Sequence, residues 1–90
     1  MSHTVKNKTK LLNRIRRIKG QLEGIERALD AGAPCIEILR QISSVRGAAG
    51  SLSSEVIEGH LREHVMAIAD ADERQKGGEE LIDVIKTYVK

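Results

Sequence analysis

Apolar residues recur along the first third of the chain at Leu11, Ile15, Ile18, Leu22, Ile25 and Leu29, with charged and polar residues between them. Alternating steps of four and three put one apolar stripe along a helix, with the seven-residue period of a seam that packs against another helix. The stripe predicts a first helix from near Lys6–Lys8 to about Ala31, where Gly32 offers a C-terminal cap and Pro34 forbids simple continuation. The rhythm resumes at Ile38, Ile42, Val45, Ala49, Leu52 and Val56, which predicts a second helix from about Pro34 to His64 or Val65. Gly47, Ala48, Ala49 and Gly50 cluster in its middle, where each glycine costs up to ~1 kcal/mol relative to alanine. Small residues there fit a helix that another backbone crosses closely. Residues 69–79 read as a polar, flexible connection in which Gly77 and Gly78 break any helix. A short third helix is expected from about Glu79 to Val89, with Leu81, Ile82, Val84, Ile85, Tyr88 and Val89 as its apolar surface. No strand pattern interrupts these elements.

The expected fold is all-α: one domain over 1–90, with two long antiparallel helices, a short C-terminal helix and a mobile arm at residues 1–6. Ninety residues bury only roughly 60–65% of their unfolded surface, so a lone protomer needs a staple. A single cysteine, Cys35, excludes an internal disulfide and points to a reducing compartment and a thiol kept for its chemistry. Self-association remains, as a helical hairpin that dimerises to cover both seams. The chain has no Phe or Trp and one Tyr. Its core is therefore aliphatic, and it lacks the stacking platforms of single-strand and RNA-recognition folds. The N-terminus is polar and basic and no stretch approaches the ~20 apolar residues of a membrane span. These features predict a cytoplasmic protein with no membrane partner.

Net charge is +2, but its distribution is uneven. The first twenty residues hold seven bases and no acid, whereas the rest carries eight bases against thirteen acids. A basic arm on an acidic body suggests a polyanionic partner, the more so because positive charge sits badly at a helix N-terminus. Lys6, Lys10, Arg14 and Arg17 fall on one stripe beside the apolar seam, suited to the phosphates of double-stranded DNA; Lys8, Arg16 and Lys19 lie elsewhere around the helix. Arg46, beside the small-residue run, reads either as a structural ion-pair former or as a DNA contact. One cysteine excludes a zinc finger, and no helix-turn-helix signature is visible.

His60 and His64 stand four residues apart, so both imidazoles project from one helical face, the spacing by which helices chelate a divalent metal. Cys35 begins the same helix, 25 residues earlier, or about 37 Å at ~1.5 Å per residue. Thiol and imidazoles cannot meet within one chain. If two copies of the helix run antiparallel about a two-fold axis, each Cys35 meets the partner's histidine pair and the small residues fall at the crossing. His3, just ahead of the first helix, is either a further ligand, together with the N-terminal amine, or a bystander. One thiolate with two or three imidazoles suits Co(II), Ni(II) or Zn(II); a fifth or sixth ligand from the arm would favour nickel or cobalt. Such binding needs thiolate and neutral imidazoles and so weakens on acidification.

The stretch CIEILRQISSVRGAAGSLSSEVIEGHLREH, with RIRRIKGQLEGIERAL before it, resembles the CsoR/RcnR/FrmR family of bacterial repressors over residues 3–90. The set His3, Cys35, His60 and His64 looks like its nickel/cobalt-sensing branch. The copper branch would have a cysteine where this chain has His64, and persulfide sensors need a second cysteine. The formaldehyde-sensing branch shares the cysteine and first histidine but joins the thiol to an N-terminal proline amine; here position 2 is Ser2. The resemblance implies a dimer of dimers that binds operator DNA when metal-free, with Arg14 and Arg17 among its DNA contacts. It implies release by Ni(II) or Co(II), typically to express an efflux gene. The alternative is release by formaldehyde through Cys35 and the N-terminal amine. An enzyme is not expected.

Overall fold

The computed structural model describes residues 7–88, which are helical throughout apart from short connections and contain no strand. Helix α1 is Lys8–Asp30, helix α2 is Cys35–Leu61, and helix α3 is Ala71–Tyr88. Between α2 and α3 the chain widens into a single π-helical turn, Arg62–Met66. The chain forms two compact units, one over residues 7–53 and one over residues 54–88.

In the first unit the predicted helix end is observed. Gly32 takes the left-handed conformation at φ 70°. Its N–H donates to the Leu29 carbonyl at 3.1 Å and that of Ala33 to the Ala28 carbonyl at 2.9 Å, the paired bonds of a Schellman cap. The Pro34 carbonyl then accepts the N–H groups of Glu37 and Ile38, which starts α2. Two side-chain bonds fix the register of the two helices. Arg14 Nη1 donates to Ser51 Oγ at 2.9 Å, and Gln21 Nε2 donates to Ser44 Oγ at 3.2 Å. The index rises along α1 as it falls along α2, so the helices are antiparallel. Leu11, Ile18 and Ile25, one heptad apart, are half-buried, as are Ile38, Val45 and Leu52. The alternate heptad positions of α1 are not covered: Leu22 is 52% exposed and Leu29 60%. A Cβ placed on Gly47 or Gly50 would meet nothing within 4 Å, so no neighbour among the described residues accounts for these glycines.

The second unit departs from the sequence expectation. Residues 71–78, read as part of a flexible connection, form the first two turns of α3, and Gly77 and Gly78 lie inside the helix. Asp70 starts it: the Asp70 carboxylate accepts the Glu73 N–H at 2.9 Å, with Asp72 and Glu73 in the first turn to meet the helix dipole. The glycines are tolerated for a tertiary reason. Gly77 is the one buried position among the described residues, set against the backbone of the π turn. No hydrophobic side chain is buried among the described residues, and no helix is long and apolar enough to cross a membrane.

Candidate metal centre

His60 is the penultimate residue of α2 and His64 the middle residue of the π turn. The turn is defined by the Ala67 N–H, which donates five residues back to the Arg62 carbonyl at 3.0 Å. A π turn carries its residues farther around the axis than an α turn, and such turns are frequent at functional sites. Here it leaves the two imidazole centroids 4.8 Å apart and tilted by 43°. Both rings are half-buried. His60 Nε2 lies 3.0 Å from the Gly77 carbonyl oxygen. A carbonyl only accepts, so Nε2 carries the proton, and the lone pair of the neutral ring sits on Nδ1, the nitrogen able to bind a metal. This is the arrangement by which ligating histidines are generally oriented, the second nitrogen donating to a backbone carbonyl.

The pair fits a divalent borderline metal as two nitrogen ligands on one wall. It is not a complete site: no group of three His, Cys, Asp or Glu residues that would hold a metal ion exists among the described residues. Cys35 is exposed as the first residue of α2, the 27-residue helix that carries His60 near its other end. His3 lies outside the described residues. His64 also lines a small cavity of about 190 Å³ with Ile68, Glu73, Lys76, Gly77 and Glu80.

The basic stripe is gathered in the other unit. Lys10, Arg14 and Arg17 line one concavity of about 420 Å³ with Asn13, Ile18 and Ala48, floored by Ser51, the partner of Arg14. Lys6 lies outside the described residues. Arg16 is turned elsewhere and donates to Asn13 Oδ1 at 3.3 Å. Arg46 is exposed and makes no ion pair among the described residues, so the structural ion-pair role weighed for it finds no partner there. Sequence reasoning missed two participants. Gly77, taken for a helix breaker, accepts the hydrogen bond of His60 and packs against the His64 backbone, and Ser51 accepts the hydrogen bond of Arg14. The spacing of Asp70 and Glu73, a capping pattern across the start of α3, was the signal that would have extended the helix through Gly77.

An all-helical chain whose chemistry is concentrated in a histidine pair, a lone thiol and a cationic concavity has the character of a metal-responsive regulator. The chain belongs to the metal-sensitive transcriptional repressor family, whose model matches residues 7–87, and it is a regulator rather than an enzyme. It is 50% identical over its full length to a Serratia marcescens protein described as an uncharacterized protein in the bioA 5' region, and 39% identical to the transcriptional repressor RcnR of Citrobacter koseri, covering 100% of each. Among solved structures it resembles a glutamate-to-histidine variant of the formaldehyde-responsive regulator FrmR from Salmonella enterica serovar Typhimurium, with TM-score 0.85 and 41% identity over 97% of this chain and 99% of that one.

Proposed function

We propose that the protein is a cytoplasmic repressor that holds operator DNA in its metal-free form and lets it go on binding Ni(II) or Co(II), with Zn(II) the other metal its donors suit. The observation that carries this reading is the His60–His64 pair, with centroids 4.8 Å apart and His60 oriented by Gly77. Two imidazoles and no third ligand among the described residues make half a site. In the proposed assembly the half-sites are completed across a two-fold axis: Cys35 of one protomer joins His60 and His64 of its partner, and His3 closes the shell from the N-terminal arm. Two such dimers form the operator-binding tetramer. Gly47 and Gly50, where an added Cβ would meet nothing among the described residues, then serve the helix crossing between chains. Lys10, Arg14 and Arg17, with Lys6, supply the phosphate contacts, and the regulated gene encodes a metal exporter. The similarity to RcnR supports the nickel/cobalt assignment.

A second reading, release by formaldehyde, is favoured by the likeness to a formaldehyde-responsive regulator. In that chemistry the Cys35 thiol and the N-terminal amine would condense with one formaldehyde into a methylene bridge, losing one water. The experiment that separates the two titrates reduced protein, bound to operator DNA, with Ni(II), Co(II), Zn(II), Cu(I) and formaldehyde. Release by nickel or cobalt, tracked by a thiolate-to-metal absorption band that Cys35→Ala abolishes, supports the metal reading. Release by formaldehyde alone overturns it.

A further inference from the structure

Gly77 touches both imidazole-bearing residues, and it does so in two different ways. Its carbonyl accepts the proton of His60 Nε2 at 3.0 Å. Its α-carbon faces the backbone of His64: a Cβ built there would collide with the His64 carbonyl oxygen and stand 2.9 Å from the carbonyl carbon and 3.4 Å from the His64 Cβ. That carbonyl is part of the π turn, so it cannot retreat without disturbing the turn that holds the His64 ring. The next residue supplies a built-in contrast. A Cβ on Gly78 would meet nothing within 4 Å. Mid-helix glycine is unfavourable relative to alanine, and at Gly77 the close approach of the π turn explains it; at Gly78 nothing in the structure does.

We infer that Gly77 is a positioning residue for the metal-binding histidine pair, setting the tautomer of His60 through its carbonyl and the place of His64 through its missing side chain. The inference rests on the metal reading above. Helix α3 is then more than a cover for apolar surface. It is the part against which both ligands are aligned, and a shift of α3 moves both rings together. Loss of such an outer partner typically costs ~10–100-fold in metal affinity.

Three variants of the full chain are compared: wild type, Gly77→Ala and Gly78→Ala. In the metal-free wild type, long-range ¹H–¹⁵N NMR at a pH where the ring is neutral should find His60 with its proton on Nε2. Gly77→Ala should keep the helical circular dichroism but lose that tautomer preference. Its Co(II) complex should bind at least tenfold more weakly, with an altered ligand-field spectrum. Gly78→Ala should match wild type in tautomer, spectrum and affinity. The inference is overturned if wild-type His60 is protonated on Nδ1, or if Gly77→Ala binds Co(II) with wild-type affinity and spectrum. Should Gly77→Ala fail to fold, the wild-type tautomer alone decides. Wild type that binds neither nickel nor cobalt would instead remove the metal reading, while the tautomer of the metal-free protein would still judge the role of Gly77.

Discussion

Cys35 is exposed at the first position of α2 and lies in no ligand cluster among the described residues, so its worth depends on what reaches it from elsewhere. Cys35→Ala should therefore leave helical content and melting unchanged, because no packing is lost. It should remove the thiolate-to-metal band and weaken Ni(II) and Co(II) binding beyond the ~10–100-fold typical of losing an outer-shell partner. Absorption titration checks the first and competition with a chelator the second. Arg14 is different, because its guanidinium is already oriented by Ser51 Oγ at 2.9 Å and shares its concavity with Lys10 and Arg17. An oriented guanidinium loses less entropy on meeting a phosphate. If it neutralises one, Arg14→Ala should lower the slope of log affinity against log salt by about 0.9, whereas Arg16→Ala, on a different face, should change it less. Fluorescence anisotropy of labelled operator DNA across a salt series measures both.

At the scale of elements, α3 carries two opposed tests of what makes a helix here. Asp70 caps it through the Glu73 N–H, and Asp70→Ala should cost about 1 kcal/mol of stability. Gly78 has open space at its missing Cβ, and Gly78→Ala should gain up to ~1 kcal/mol. For a domain of this size ~1 kcal/mol moves the melting temperature by roughly 4–8 °C, so thermal circular dichroism should show shifts of opposite sign from two changes in one helix. Fall of both, or neither, would show that α3 is held by tertiary contacts alone. The same helix marks the limit of what was legible in the sequence. The heptad stripes gave α1 and α2 to within a few residues, and Gly32 and Pro34 gave their junction, because period and cap are local properties. Gly77 and Gly78 concealed the start of α3, since a glycine pair is a breaker by propensity. It is tolerated here because Gly77 packs against the backbone of His64, thirteen residues earlier in the chain. The histidine pair was legible from its four-residue spacing. The π turn beneath it was not, for a widened turn is a product of packing that no residue type announces.

At the scale of the whole molecule the governing fact is an uncovered apolar surface. Ile15, Leu22 and Leu29 follow one another a heptad apart at 46, 52 and 60% exposure, and Ile36, Leu39 and Ile42 are likewise open on α2. Two stripes of this kind are not stable facing water, and burying them against a second copy is the route open to a chain with no disulfide and no described hydrophobic core. A two-fold dimer uses the same patch twice, so whatever residue of one protomer reaches a site on its mate, the reverse contact exists as well. This symmetry makes a sharp prediction for the metal centre. If the two sites are shared as proposed, Cys35→Ala lacks the thiol in both and His64→Ala lacks an imidazole in both. A mixed dimer of the two variants has one site that combines the intact cysteine with the intact histidines, and one that combines both defects. Random exchange makes about half the dimers mixed, so about one quarter of the sites in co-refolded variants should be complete and bind Co(II) with the wild-type affinity and thiolate-to-metal band, which neither variant reproduces alone. A site contained within one chain would recover none, because no protomer in the mixture holds all the ligands. Absence of the band after co-refolding, with mixed dimers verified by mass spectrometry, would end the shared-site assignment and with it the reason for Cys35 and His60 to occupy opposite ends of one helix.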